Sequence, residues 1–373
     1  MRAFFIKFNK PFIWYILLSL IVLASIIFVN YNHFLYDKPI AEVTGVKLVS
    51  AEEKVDSFEN HDHLYVQEIE ALIRNGNLKG RTISLTNEFS DSGAYDEEYQ
   101  VGNEVFVQIK ESTNEETLTG TIQSVKRDQY VVVVAWVFIL TLLFVGRKQG
   151  FFAVISLAVN AVILSYALDV YLKTGISLLW ICGISVIIFT IISLMLVNGI
   201  NEKTLAAVIA TLLGTFLSLL ITFLVMEITD DSGLRYEEMQ FLTSPYRMVF
   251  LAGLFIGSLG AVMDVAITLV SSIFGLYEKN PDISVKALQK SGFEIGKDIM
   301  GTMTNILFFA YISGSIPMLI LFFKNGSPLG YTLSMNLSLE LARALAGGIG
   351  IVITIPLGLY TAIFFINRKR RSL

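Results

Sequence analysis

Of the 373 residues, 54% are hydrophobic and 16% are charged, the net charge is −4, and apolar runs recur from Pro11 almost to the last residue. This excludes an ordinary water-soluble fold. The single cysteine, Cys182, lies inside an apolar run, which rules out an intramolecular disulfide and a Cys-rich metal site.

A bilayer core takes about 20 apolar residues per helical span. About eight windows fit: 12–29, 130–145, 151–172, 176–197, 205–228, 248–276, 299–323 and 341–366. The first follows Arg2, Lys7 and Lys10 as a signal peptide would. It is too long for a typical signal core and lacks a small-x-small cleavage site, so residues 1–29 read as an uncleaved anchor helix.

Residues 30–128 form an extracytoplasmic β-rich domain in this reading. Strand-like runs at 38–49, 64–73, 81–86, 105–109 and 117–125 are separated by Asn75-Gly76, Gly80, Gly93 and Gly102-Asn103. Val105, Val107 and Ile109 share one face of their run, with Phe106 and Gln108 on the other. A small OB-like or SH3-like barrel is the expected result. Its excess of acidic residues argues against nucleic acid or anionic surfaces and leaves a partner protein as the candidate ligand. His61-Asp62-His63 offers too few donors for a metal site and reads as a solvated loop.

Residues 129–373 supply seven further spans, an all-α helical bundle in the bilayer. With the amino terminus inside, Arg147-Lys148, Lys203, the lysine-bearing segment 279–297 and Arg368 to Arg371 all fall on the cytoplasmic side. Both termini are then cytoplasmic. The acidic loop 229–246, with Asp230, Asp231, Glu237 and Glu238, is outside. Asn280-Pro281 opens a short cytoplasmic helix, capped by Asp282 or Ser284 and expected to stop at Gly292.

Asp264 stands in the middle of the sixth window. An ionisable group there costs roughly 2.5–3.5 kcal/mol on insertion scales, so it faces a bundle interior or a water-filled cavity rather than lipid. Asn305, Thr302 and Asn160 are its candidate polar companions for proton or ion coupling. By rise along the spans, Asp264 is expected roughly 18 Å and Asn305 roughly 9 Å from the inner membrane surface, so contact between them needs tilt or a shift in the span ends. Asp298 sits near the inner surface, whereas Glu340 and Arg343, one turn apart, are expected to pair at the outer end of the last span. Gly253, Gly257 and Gly260 in the sixth span, Gly301 in the seventh and Gly350 in the eighth mark close helix packing.

Three stretches carry a family resemblance. They are Gly257-Ser-Leu-Gly-Ala-Val-Met-Asp264-Val-Ala, Ser291-Gly-Phe-Glu-Ile-Gly-Lys-Asp298-Ile-Met-Gly301-Thr-Met-Thr-Asn305, and Glu340-Leu-Ala-Arg343 followed by Gly347-Gly-Ile-Gly350. With the order anchor, outer β-domain, bundle, the chain resembles the YibE/F family of bacterial multipass membrane proteins, which implies architecture but no activity. A Gly-rich helix with a central aspartate followed by a Gly- and Thr-bearing return span is also similar to proton-driven permeases of the resistance-nodulation-division type. Those carry a second copy of the bundle, which this chain lacks.

All three histidines, His33, His61 and His63, precede the second span. A serine or zinc intramembrane protease therefore has no histidine in the bundle, and neither Asp298 nor Asp169 matches the depth of Asp264 for an aspartyl enzyme. No nucleotide-binding loop is present, so no cofactor is expected. Two non-enzymatic readings remain: a transporter or proton-coupled membrane factor using Asp264, and a membrane scaffold whose outer domain binds a partner.

Overall fold

The computed structural model describes residues 10–93, 96–110, 118–239 and 245–371. Arg2 and Lys7 beside the anchor, and Thr117 at the start of the fifth strand-like run, lie outside these. The chain forms two compact units, Met1–Thr141 and Leu142–Leu373.

In the first unit α1 (Lys10–Asn30) precedes five strands: β1 (Ile40–Val55), β2 (His61–Ile73), β3 (Thr82–Ser90), β4 (Glu104–Lys110) and β5 (Leu118–Val125). They close into a barrel in the order β1-β2-β3-β5-β4, with β4 returning to β1 and β3 parallel to β5. Period-2 patterning fills it: Ile69, Ala71 and Ile73 of β2, Ile83 and Leu85 of β3, and Val105 and Val107 of β4 are buried. Gly120 lets β5 lie close, because a Cβ there would stand 2.6 Å from the Gln108 carbonyl oxygen.

Two features of this unit escape the strand pattern. Strands β1 and β2 continue as an exposed polar arm, Ser50 opposite Val66 through to Val55 opposite His61. His61-Asp62-His63 therefore lies in a strand, which corrects the loop expected there. His61 Nδ1 is 2.7 Å from Glu53 and His63 Nδ1 is 2.9 Å from Asp91. Asn75, a turn residue by sequence, is buried: its Oδ1 accepts from Ile40 N at 2.7 Å, and its Nδ2 lies 2.9–3.2 Å from the carbonyls of His33, Tyr36 and Lys38.

At the base of the barrel Lys126 is buried. Its ammonium donates to the Val29 carbonyl at 2.9 Å and lies 2.9 Å from Glu104 and 3.0 Å from Asp128. Asp128 in turn accepts from Asn32 and from the Tyr36 hydroxyl, and His33 contacts Glu104 at 2.5 Å. The end of α1, β4 and the start of the next helix are thereby tied to one cation.

That next helix, α2 (Asp128–Thr174), contains two of the expected windows. Its backbone leaves helical geometry at Arg147, with φ 47° and ψ −119°, and Gly150 abuts the Leu142 carbonyl with no room for a side chain. Windows 130–145 and 151–172 are thus the two arms of one broken helix.

The second unit continues with α3 (Leu178–Asn198), α4 (Glu202–Ile228), α5 (Tyr246–Lys279), α6 (Val285–Ser313), α7 (Ile316–Lys324) and α8 (Leu329–Arg371). Asn201 caps α4 and Ser284 caps α6, each accepting from a backbone N–H three residues on. Helix α8 is the hub, packing against α4, α5 and α6. Leu269, Val270 and Ile273 of α5 meet Ile351, Ile355 and Leu359 of α8 in the largest buried cluster.

Close approach between helices explains several glycines. A Cβ on Gly350 would stand 2.9 Å from Val262 and 3.2 Å from the Ser218 hydroxyl, and Gly347 abuts Leu307. The Ser218 hydroxyl donates across to the Ala346 carbonyl at 2.7 Å.

Three boundaries differ from expectation. Helix α6 runs straight through Gly292, which packs against Leu359 and Ile273 instead of ending a connector, so the short helix and the span expected after it are one element. That element then breaks by 52° between α6 and α7, at Gly314-Ser315 ahead of Pro317. Helix α8 begins at Leu329, twelve residues before the expected span. Among the described residues five helices are long and apolar enough to cross a membrane, or six if the bent α6–α7 pair counts as one span.

Candidate functional site: a polar seam in the bundle

Asp264 projects from the exposed face of α5, together with Gly253, Gly257, Gly260, Thr268 and Ser271. These positions recur every third or fourth residue and therefore form one stripe along the helix. The opposite face, Leu251, Leu254, Phe255, Val262, Val265 and Leu269, is buried. Among the described residues Asp264 has no hydrogen-bond or ion-pair partner, so the expectation of an interior-facing carboxyl is corrected within the single chain.

A second polar stripe lies on α6, where Glu294, Asp298, Gly301, Thr302 and Asn305 are all exposed. The two helices are antiparallel, and two contacts fix their register: the Tyr311 hydroxyl abuts Gly257, and Gly292 packs on Ile273. Interpolation between them sets Asp264 level with residues 301–304. The depth gap between Asp264 and Asn305 expected from the sequence is therefore closed by register, because α6 starts about four turns before the span expected for it. The Thr302 hydroxyl is occupied, donating to the Ile299 carbonyl at 3.0 Å.

Asn160 is not part of this seam. Its amide donates to Ser193 on α3 at 2.7 Å, where Ser156 also donates at 3.0 Å, and its own oxygen is buried without a partner among the described residues. The residue ties α2 to α3. Gly253, Gly260 and Gly301, expected at helix contacts, face open space in the single chain, with nothing within 4 Å of where a Cβ would stand.

Glu340 and Arg343 form an ion pair, and the Arg343 guanidinium lies 5.3 Å from the centre of the Phe250 ring. The pair stands three turns inside α8, not at its end, and walls a cavity of about 620 Å³. The break between α6 and α7 forms one side of this cavity through Gly314, Ser315 and Met318. Glu237 and Met239 of the segment between α4 and α5 form another, and Met335, Asn336 and Leu339 of α8 a third. Tyr311, three residues before the Gly314 of the cavity wall, places its hydroxyl against Gly257, one turn from Gly260 and two from Asp264 along α5.

Sequence reading missed Tyr311 and the three methionines. Apolar residues drawn from separate elements carry no shared periodic signal; the only hint, for Tyr311 and Met318, was Gly314-Ser315 followed by Pro317.

Near the cavity, Arg247 bridges Glu227 at 2.8 Å and Asp231 at 3.1 Å. Burial, reinforced by the charge of Asp231, pushes the Tyr236 hydroxyl well above the usual phenol range, so Tyr236 stays neutral where it packs on Tyr246 and Phe250.

A helical unit with five or six apolar spans, joined to a small closed β-barrel, defines a multi-pass membrane protein with an extramembrane domain. The description YibE/F-like protein matches residues 134–368, and the description YibE/F family N-terminal domain matches residues 34–125. The chain belongs to the YibE/F family. No curated protein and no solved structure matches it.

Proposed function

We propose that the protein is a proton- or ion-coupled transporter or membrane factor, not an enzyme, in which Asp264 is the coupling residue. The observation that carries this reading is an unpaired, exposed carboxyl on α5 at the same level along the helix pair as Gly301 to Thr304 of α6, where each helix presents its own exposed stripe of polar or small residues. A carboxyl on a purely lipid-facing surface would have hydrocarbon on every side, and the cost of keeping it would be unrewarded. A row of hydroxyl, amide and carboxyl groups instead offers stepping positions for a proton or small cation.

In this reading α1, the two arms of α2, α3, α4, α5, the bent α6–α7 pair and α8 make eight spans. The basic segments 279–297 and 368–371 then lie in the cytoplasm of a bacterial cell, and the barrel lies outside its membrane. The barrel order β1-β2-β3-β5-β4 with β3 parallel to β5 supports the OB-like alternative over the SH3-like one.

Exposure of the seam in the single chain favours a second reading, a scaffold whose bundle and outer barrel hold a partner protein. Reconstitution in proteoliposomes separates the two. Asp264→Asn abolishes proton-linked flux under the transport reading while the protein still inserts and folds. Unchanged flux removes that reading. In the scaffold, loss of a co-purifying partner follows disruption of the barrel, and Asp264→Asn leaves flux unaffected.

A further inference from the structure

Resting on the transport reading, we infer that the outer cavity binds a cationic amphiphile, an organic cation whose charge is carried on an apolar body. The cavity, about 620 Å³, falls within the range of small-molecule sites. Three thioethers, Met239, Met318 and Met335, come from three different elements, and Phe322 and Leu339 add apolar surface. Flexible thioether walls fit irregular apolar bodies without demanding one shape.

Charge selects the sign of the ligand. Glu237 and Glu340 face the cavity against one guanidinium, Arg343, which is already paired with Glu340 and seated over Phe250. Glu237 is exposed and makes no hydrogen bond or ion pair among the described residues. One negative charge is therefore left for a ligand to neutralise. Arg343 over Phe250 also shows that this end of the bundle already seats a delocalised cation on an aromatic ring. Ser315 and Asn336 supply the few remaining polar groups, too few for a polyhydroxylated ligand.

Equilibrium dialysis of the purified full-length chain in nanodiscs, with no proton gradient, tests this with two probes of equal size and opposite charge, tetraphenylphosphonium and tetraphenylborate. Saturable binding of the phosphonium and none of the borate is expected. Glu237→Gln, which breaks no internal bond, should weaken phosphonium binding about tenfold, the equivalent of one carboxylate–cation contact. Glu237→Gln combined with Glu340→Gln leaves Arg343 as the single charge and should reverse the preference towards borate. Leu345→Ala, in the separate groove between α6 and α8, should change neither.

No saturable phosphonium binding, equal binding of both probes, or phosphonium affinity unaffected by both glutamate changes would overturn the inference. The two proposals fail separately. Phosphonium binding that persists in Asp264→Asn while flux is lost supports both. Lost binding with Asp264-dependent flux removes only the cargo class, and intact binding with Asp264-independent flux removes only the coupling role.

Discussion

The base of the barrel and the middle of α5 treat charge in opposite ways. Lys126 is buried and held by a backbone carbonyl and two carboxylates, whereas Asp264 is placed at mid-helix in an apolar span and given no partner among the described residues. A charge that is sequestered and fully engaged holds elements together. A charge kept in a membrane span without engagement is available to bind something that arrives and leaves. Under the proposed coupling role, the difference separates a charge that holds the fold from one that is free to exchange its partner.

The sharpest way to break the comparison is to remove each charge in turn. Lys126→Met leaves Glu104 and Asp128 without their cation and should cost about 3–5 kcal/mol, read by denaturant unfolding of the full chain in detergent. Asp264→Asn should stay within about 0.5 kcal/mol of the parent, because no native contact is lost. Equal losses at the two sites would erase the distinction.

Burial by itself would lower the Lys126 pKa, but hydrogen bonds to Glu104 and Asp128 outweigh it, and the pKa is raised. The stability this contributes is fully present below about pH 10.4, the ordinary lysine value, and is lost as pH rises through the higher folded-state pKa. An alkaline unfolding limb that disappears in Lys126→Met checks this.

Glycines sharpen the same contrast at a smaller scale. Gly350→Leu drives a side chain into Val262 and Ser218 and should cost about 1–3 kcal/mol, measured as a fall in Tm. Gly260→Ala, on the open seam, should leave Tm unchanged and report any effect in flux alone.

The smallest effect belongs to the exposed arm of β1 and β2. A hydrogen bond from His61 holds the Glu53 carboxyl below its ordinary range, so its contribution is present above about pH 4.5 and lost as pH falls through the lower folded value. Faster amide exchange at the tip of the arm below that pH, unchanged elsewhere in the barrel, is the expected signature.

The apolar windows and the barrel strands were legible because they follow simple periods: a run of about 20 apolar residues, or Ile69, Ala71 and Ile73 on alternate positions. What was hidden depends on contacts between distant residues. Gly292 looks like a helix stop until Leu359 and Ile273 are placed against it, and Asn75 looks like a turn until Ile40 N meets its side chain. The polar arm 50–55 lacks an apolar face, so nothing in its pattern marks a strand. For the site, Asp264 stood out by composition alone. Its level with Gly301 to Thr304 required the register set by Tyr311 on Gly257, and its exposure required the buried face of α5 to be known.

The most direct measurement is the water accessibility of position 264 in a bilayer. On a Cys182→Ala background, Asp264→Cys, Thr268→Cys and Leu345→Cys are reacted in turn with a water-soluble maleimide; Leu345 is 69% exposed and serves as the lipid-facing reference. The predicted result is rapid labelling at 264 and 268 and none at 345. Labelling at 264 as slow as at 345 would place the carboxyl in acyl chains and contradict its role as a coupling group.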